Sequence, residues 1–391
     1  MLWAPLAQAQ HVHPTAPADS ARAWSVGAMA IGVASHVTPG ALKTPISEAY
    51  LTQPMAFGSW RGWRGRVVAL ATLNFEAYTL RRGEITPGGY GEGYIDRRHP
   101  HTLAHELMVG LRDTRGDVGW SLFAGKGFVP FGSDDPMTRP FEKYPVNHHH
   151  AQLLERAMVT ASARWRGLTF EGARFNGDEP EGPFDWPNRD RLFDSWASRA
   201  TLALGSSLEL SASAAEVRSP EYAPGNGLDQ AKRHAALRWT TPRGRVRYAL
   251  VEAASTHESS NGRRAFAFGT LLGEGEVQAG PLAIAARVER TTRPEEERLR
   301  SFYRTIRPLL DFNILGRTRW TNVTLALSPA GWGRGSFMGR PFVEVGYHVP
   351  RATIRPTALD PVEVFGGRQV WSMSAGVRVA AGGMRGRWGR Y

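Results

Sequence analysis

The sequence contains no cysteine in its 391 residues. Thiolate metal sites, disulfides and cysteine nucleophiles are therefore excluded. No apolar run approaches the roughly 18 residues that a membrane helix needs. From Trp24 onward no amphipathic helix of ordinary length is readable, because apolar residues recur at every second position and not at every third and fourth. No unit of roughly 20–50 residues repeats, which argues against a propeller or a solenoid. No serine sits in a nucleophile-elbow motif. "GGYGEG" at 88–93 follows no strand–helix arrangement and so is not a nucleotide loop.

The chain does have 43 glycines, 13 tryptophans and 10 tyrosines. Abundant glycine with aromatics that favour a membrane interface is the composition of a bacterial β-barrel. The formal charge is +12 and the sequence pI about 10.4. Such an excess suits a solvated surface, anionic headgroups or a cationic channel. The basic residues are spread along strand-like segments, so no nucleic-acid partner is expected. "AQA" at 7–9 resembles a signal-peptidase site. We expect residues 1–9 to be the remnant of a signal peptide, 10–23 a short tail and 24–391 one barrel.

Segments of ten or more residues alternate apolar and polar positions, separated by glycine, proline and acidic clusters. They are expected near 24–35, 48–60, 65–80, 102–113, 117–127, 152–165, 168–176, 194–205, 207–217, 231–240, 245–255, 263–273, 282–291, 300–315, 317–328, 338–349 and 369–379. Their connections alternate in length. "TRG" at 114–116, "RG" at 166–167, "TPRG" at 241–244 and "GR" at 316–317 are short, whereas 81–101, 128–151, 177–193 and 218–230 are long. Short periplasmic turns and long external loops make this two-beat pattern in outer-membrane barrels. Only 350–368 breaks it, a long stretch counted onto the short-turn side. The expected fold is all-β: a single transmembrane antiparallel up-and-down barrel of about 16–18 strands.

One face of these segments is apolar but small. Val67, Ala69, Ala71 and Leu73 oppose Thr72, Asn74 and Glu76; Leu208, Leu210, Ala212 and Ala214 oppose Glu209, Ser211 and Ser213. A soluble core wants larger side chains to reach close packing, whereas a lipid-facing wall tolerates alanine and glycine. The opposite face then lines the lumen, with Glu76, Glu106, Arg112, Arg156, Arg164, Arg174, His234, Arg238, Arg287, Glu289, Glu344, His348 and Arg378. Arginine outweighs carboxylate in that set, which favours anions; the alternative is that the charges pair across the lumen and fill it. The loop at 127–146, rich in aromatics and proline, suits either an inward fold that constricts the channel or a cover over the rim.

"DRRHPHTLAHELMVGLRD" (96–113) invites a metal reading, since imidazole suits zinc, copper and nickel. As a strand, however, it gives His105 the parity of the lipid-facing residues, and the expected place is headgroup level. His99 and His101 fall in the preceding loop, and His148 and His149 in a second one. These four are the candidate ligands if a divalent metal binds; no other cofactor is expected. Ser372, Ser374 and His348 permit a membrane-embedded lipid hydrolase or acyltransferase, without a motif to favour it.

In order along the chain, "DRRHPHTLAHEL", "NHH" (147–149), "FEGARFNGDEPE" (170–181), "FDSWASRATL" (193–202) and "RSPE" (218–221) resemble an uncharacterised family of bacterial outer-membrane porin-like barrels. The resemblance covers about residues 48–240, and "MRGRWGRY" loosely. It implies an outer-membrane barrel. It also hints at metals, because members often have Met/His-rich N-termini and tend to lie near metal-resistance genes. This chain departs at Thr102 and at Leu153–Glu155, and its N-terminus is short of methionine and histidine, which weakens the metal hint. The expected function is therefore a non-enzymatic, porin-like channel in a Gram-negative outer membrane, passing small solutes with anions favoured. The alternatives are a metal-resistance-associated or structural envelope barrel with a plugged lumen, and the lipid enzyme. Expected partners are outer-membrane lipid and small solutes, with the oligomeric state open.

Overall fold

Among the described residues of the computed structural model, sixteen antiparallel strands close on themselves. It describes residues 23–40, 43–80, 101–133, 139–180, 182–220, 225–241, 244–296, 314–334, 336–353, 360–382 and 390–391. The wall begins with β1 (Trp24–Thr38), β2 (Ile46–Gly62), β3 (Val67–Asn74), β4 (Ala104–Arg115) and β5 (Val118–Gly127). It continues through β6 (Arg156–Trp165), β7 (Leu168–Phe175), β8 (Ser195–Leu204), β9 (Leu208–Val217) and β10 (Asp229–Thr240). Then come β11 (Val246–Ser260), β12 (Arg263–Ala279), β13 (Leu282–Glu296) and β14 (Ile314–Pro329). A short β15 (Trp332–Arg334) pairs only with β16 (Phe337–Ala352), so it decorates the turn and adds no staff to the wall. β17 (Val370–Gly382) pairs with both β16 and β1 and closes the ring. Closure leaves no edge strand, which is what lets a sheet stand in hydrocarbon.

The alternation read in the sequence becomes two surfaces. Along β14, Val323, Leu325 and Leu327 are exposed while Asn322, Thr324 and Ala326 are buried. Large apolar residues such as Val109, Val251, Leu271 and Val288 stand exposed on the outer face. Exposed tryptophans gather at the short-turn end: Trp24, Trp63, Trp120, Trp165, Trp239 and Trp332. At the other end Trp371 packs against Tyr347, their ring centroids 4.8 Å apart and the planes tilted by 54°. Such rings mark the two interfaces of a membrane barrel. Among the described residues no helix is long and apolar enough to cross a membrane.

The strand count corrects one expectation. β13 pairs directly with β14 up to Glu296 opposite Ile314, so no wall strand lies between them. The expected strand at 300–315 and its "GR" turn at 316–317 are replaced by one strand from Ile314; 297–313 lies outside the described residues. With that staff removed, 353–369 moves to the long-loop side, and the single break in the two-beat pattern disappears. It carries the short α2 (Pro361–Phe365).

Two local features depart from simple alternation. The expected strand at 65–80 stops at Asn74 and turns into a single helical turn, α1 (Glu76–Thr79). In β4 the pairing with β3 skips one residue, Thr72 facing Glu106 and Leu73 facing Ala104. His105 is the extra residue of that bulge. A bulge breaks parity locally, so His105 is fully buried and not at headgroup level as its parity predicts.

Candidate functional site

The lumen is organised by the described chain between β5 and β6, residues 128–133 and 139–155, whose first part lies against the near wall and whose second part reaches the opposite side. β13 stands half-way round the ring from β5. The loop at 127–146 therefore takes the inward of its two expected placements. Its near end is apolar: Val129, Phe131 and Leu153 pack with Met108, Phe123 and Phe175 of the adjacent wall. Tyr391 joins this cluster, its hydroxyl accepting from Phe128 N at 2.7 Å. Arg390 donates to Phe131 O at 2.9 Å.

The far end of the loop is held by charge. Arg139 places both terminal nitrogens 3.0 Å from the Glu252 carboxylate on β11, and Nη1 is 3.6 Å from Glu274 on β12. The backbone N–H groups of Glu142 and Lys143 donate to Glu344 at 2.8 and 3.2 Å, and that of Val146 to Glu289 at 3.1 Å. Arg287 donates to Lys143 O at 2.7 Å and to Glu274 at 2.7 Å, its guanidinium 4.1 Å from the Phe141 ring centre. Arg378 donates to Arg139 O at 3.0 Å. His150 meets Thr256 Oγ1 at 3.2 Å and Thr292 O at 3.4 Å. Burial, then the charge of Lys232, lowers its pKa to about 3. Charge-assisted bonds of this kind are about twice as strong as neutral ones, and here they pin backbone as well as side chains.

The structure gives each expected lumen residue a place. Glu106, Arg156, His234, Arg238, Arg287, Glu289, Glu344 and His348 are buried on the inward face, while Arg112, Arg164 and Arg378 are half-buried. Glu76 is buried too, but in α1, where it accepts from Thr52 Oγ1, Gln53 N and His101 N. Arg174 is misplaced by the sequence reading. It shares the exposed parity of Phe170, at the long-loop end of β7, while Glu171 and Ala173 point inward. An arginine there sits among headgroups, where its charge stays solvated.

The carboxylates are what the sequence reading undercounted. Glu171 pairs with Arg199 at 2.5 Å, Glu276 with Arg340 at 3.1 Å, and Glu252 with His234 at 3.2 Å. Glu274 and Glu276 lie beyond 273, the expected end of their strand, because β12 runs on to Ala279. Register supplies the missing signal for Glu171, which stands directly opposite Arg199.

At the rim, Glu155 closes the crossing loop. It accepts from Thr102 N and Oγ1 at 2.9 and 2.7 Å and lies 2.7 Å from His105 Nδ1. Burial alone would push its carboxyl up. The hydrogen bond and charge of His105, with His101 and Lys126 beside it, hold it down to about 2. The expected metal ligands do not assemble as one group. His99 lies outside the described residues, and the side chain of His148 is not described. His101 bonds Glu76 at 2.9 Å and touches the His105 ring, while His149 lies exposed in the crossing loop. Among the described residues no three His, Asp or Glu side chains converge as a ligand set.

A closed wall with an apolar exterior, two aromatic rings and a charged, loop-crossed interior defines a transmembrane barrel of the porin class. No family model and no curated protein matches the sequence. Solved structures do. An anion-selective porin from Comamonas acidovorans matches over 91% of this chain and 99% of its own, with a TM-score of 0.54 at 8% identity. A loop L8 deletion mutant of OmpT, an outer membrane protein of Vibrio cholerae, matches over 92% and 100%, with a TM-score of 0.52 at 10% identity. The trimer form of in-vitro folded OmpT gives 92%, 100%, 0.50 and 9%. The likeness is one of fold: this chain has the porin-type fold of Gram-negative outer-membrane barrels.

Proposed function

We propose that the protein is a passive outer-membrane channel for small solutes, narrowed by residues 128–133 and 139–155 and modestly selective for anions. The observation that carries the reading is the crossing loop itself. It is tied to the far wall by a belt of buried charges, the arrangement that sets a size limit and a field at one level of a pore. Anion preference rests on unengaged donors in the lining: Arg378 Nε and Nη2 in the belt, and Arg156 Nε and Nη1 away from it, have no hydrogen-bond partner. Glu252 and Glu274 in the belt, and Glu171 on β7, are each held by a guanidinium, while Glu289 Oε2 is an unengaged acceptor that works against the preference. The preference is modest because most arginines are so engaged. The anion-selective barrel from Comamonas supports the same direction.

A second reading, a structural barrel with a filled lumen, is favoured by the burial of nearly every described residue from Phe128 to Glu155. Liposome swelling with solutes of graded size separates the two. A channel admits the smallest sugars and amino acids and excludes larger ones at a sharp limit; a filled barrel gives no swelling with any of them.

A further inference from the structure

One hydrogen-bonded chain on the inner wall has a fixed direction. Asn322 on β14, His348 on β16 and Ser372 on β17 are 1%, 3% and 5% exposed. Asn322 stands opposite His348, and Ser372 opposite Gly346. Asn322 Nδ2 donates to Glu289 Oε1 at 2.5 Å, and the same oxygen accepts from Val146 N. Two donors on Oε1 leave that oxygen only an acceptor. The other end of the amide, Oδ1, therefore faces the imidazole, 2.9 Å from His348 Nδ1. A carbonyl oxygen accepts, so in the neutral ring Nδ1 carries the proton. Nε2 then presents its lone pair 2.9 Å from Ser372 Oγ. Glu289 fixes the amide, the amide fixes the tautomer, and the tautomer aims a base at a hydroxyl. This is the order of nucleophile, base and orienting group that activates a serine.

Gly346 makes the meeting sterically possible. A Cβ there would come within 2.4 Å of His348 Nε2 and 2.5 Å of Ser372 Oγ. Ser374 supplies an internal comparison. It lies two residues along the same inward face and is equally buried, but its hydroxyl bonds Ser35 Oγ at 2.8 Å in place of an imidazole.

We propose that Ser372, with His348 as base and Asn322 and Glu289 as positioning residues, is a serine acyl-transfer site that faces the lumen. Its substrates are small water-soluble esters. The lipid side of the same strand is occupied by Trp371 and Met373, both exposed outward, so bilayer lipid does not reach the hydroxyl. Ser372 Oγ bonds the ester carbonyl carbon as its proton passes to His348 Nε2 and the carbonyl electron pair moves to oxygen. Collapse breaks the bond to the alcohol, which leaves with that proton. Water then attacks the acyl-serine, gives its proton to Nε2, and releases the acid as Ser372 is re-protonated. This inference is independent of conductance.

The test is labelling of the full folded chain with a small fluorophosphonate, followed by peptide mapping. The expected result is an adduct on Ser372 and none on Ser374. The rate should fall roughly a hundredfold in His348→Gln, the span of base catalysis, and stay at the wild-type rate in Ser374→Ala. Asn322→Asp combined with Glu289→Gln, which keeps an acceptor toward Nδ1 and a donor–acceptor pair between positions 322 and 289, should retain labelling, whereas Asn322→Ala loses most of it and shifts its pH profile. p-Nitrophenyl acetate should be hydrolysed faster than its long-chain homologues. Equal labelling of Ser372 and Ser374, an unchanged rate in His348→Gln, or no adduct in a folded barrel would each overturn the proposal. Should His348→Gln fail to fold, the Ser372–Ser374 comparison in the wild type decides alone.

Discussion

Both terminal nitrogens of Arg139 lie 3.0 Å from the Glu252 carboxylate, one side chain from the crossing loop and the other from the wall. Both are buried. Removing one member of a buried pair leaves the other charge uncompensated, at a cost of about 3–5 kcal/mol. Arg139→Ala should therefore lower stability by that order in guanidinium titrations and, by freeing the loop, raise single-channel conductance. Glu252→Gln should recover part of the stability when combined with it.

Tyr391 secures the other end of the loop. Its ring lies 5.4 Å from that of Phe123 and its hydroxyl accepts from Phe128 N. Tyr391→Ala opens a cavity and orphans a donor, so a loss of about 3 kcal/mol is expected. Tyr391→Phe should lose only about 1 kcal/mol, the value of one hydrogen bond. The same titration ranks the two variants.

Glu155 predicts an acid limit. Its folded-state pKa, about 2, lies below the ordinary 4.5. The unfolded chain thus takes up the proton first as pH falls. The stabilisation is complete above about 4.5, declines below it and is gone below about 2; it amounts to roughly 3 kcal/mol. Glu155→Gln should flatten the stability profile over that window. A wild-type profile equally flat there would contradict the assignment.

The outer face makes a prediction about depth. Val251 lies mid-strand and outward, so Val251→Arg should cost about 2–4 kcal/mol, whereas a charge near the interface costs about 0–1 kcal/mol. Arg174→Leu, at the long-loop end, should accordingly change stability little. Refolding titrations into lipid vesicles measure both.

These positions show which parts of the molecule are legible in the sequence. Alternation in 207–217 and 317–328 assigns inner and outer faces correctly, because a barrel wall imposes period two wherever no bulge intervenes. It fails at His105, where one inserted residue reverses parity, a change invisible to composition. It also fails at Arg174, whose polarity suggests the lumen although it shares the outward parity of Phe170. The expected strand at 300–315 rests on "GR" as a turn, which β14 runs straight through. The crossing loop is legible as long and aromatic, but not as inward, since its partners Glu252, Glu289 and Glu344 are more than a hundred residues away in sequence. Ser372, Ser374 and His348 are legible as a possible group; which serine meets the imidazole, and that Asn322 orients it, is visible only in the register.

The most direct test of the channel reading is the reversal potential of the refolded barrel in a planar bilayer under a tenfold KCl gradient. Discrete conductance steps are expected, with a reversal potential of the sign set by chloride, weaker than full anion selectivity and closer to zero at high salt as the arginines are screened. A folded barrel with no conductance, or a reversal potential of the potassium sign, would contradict it.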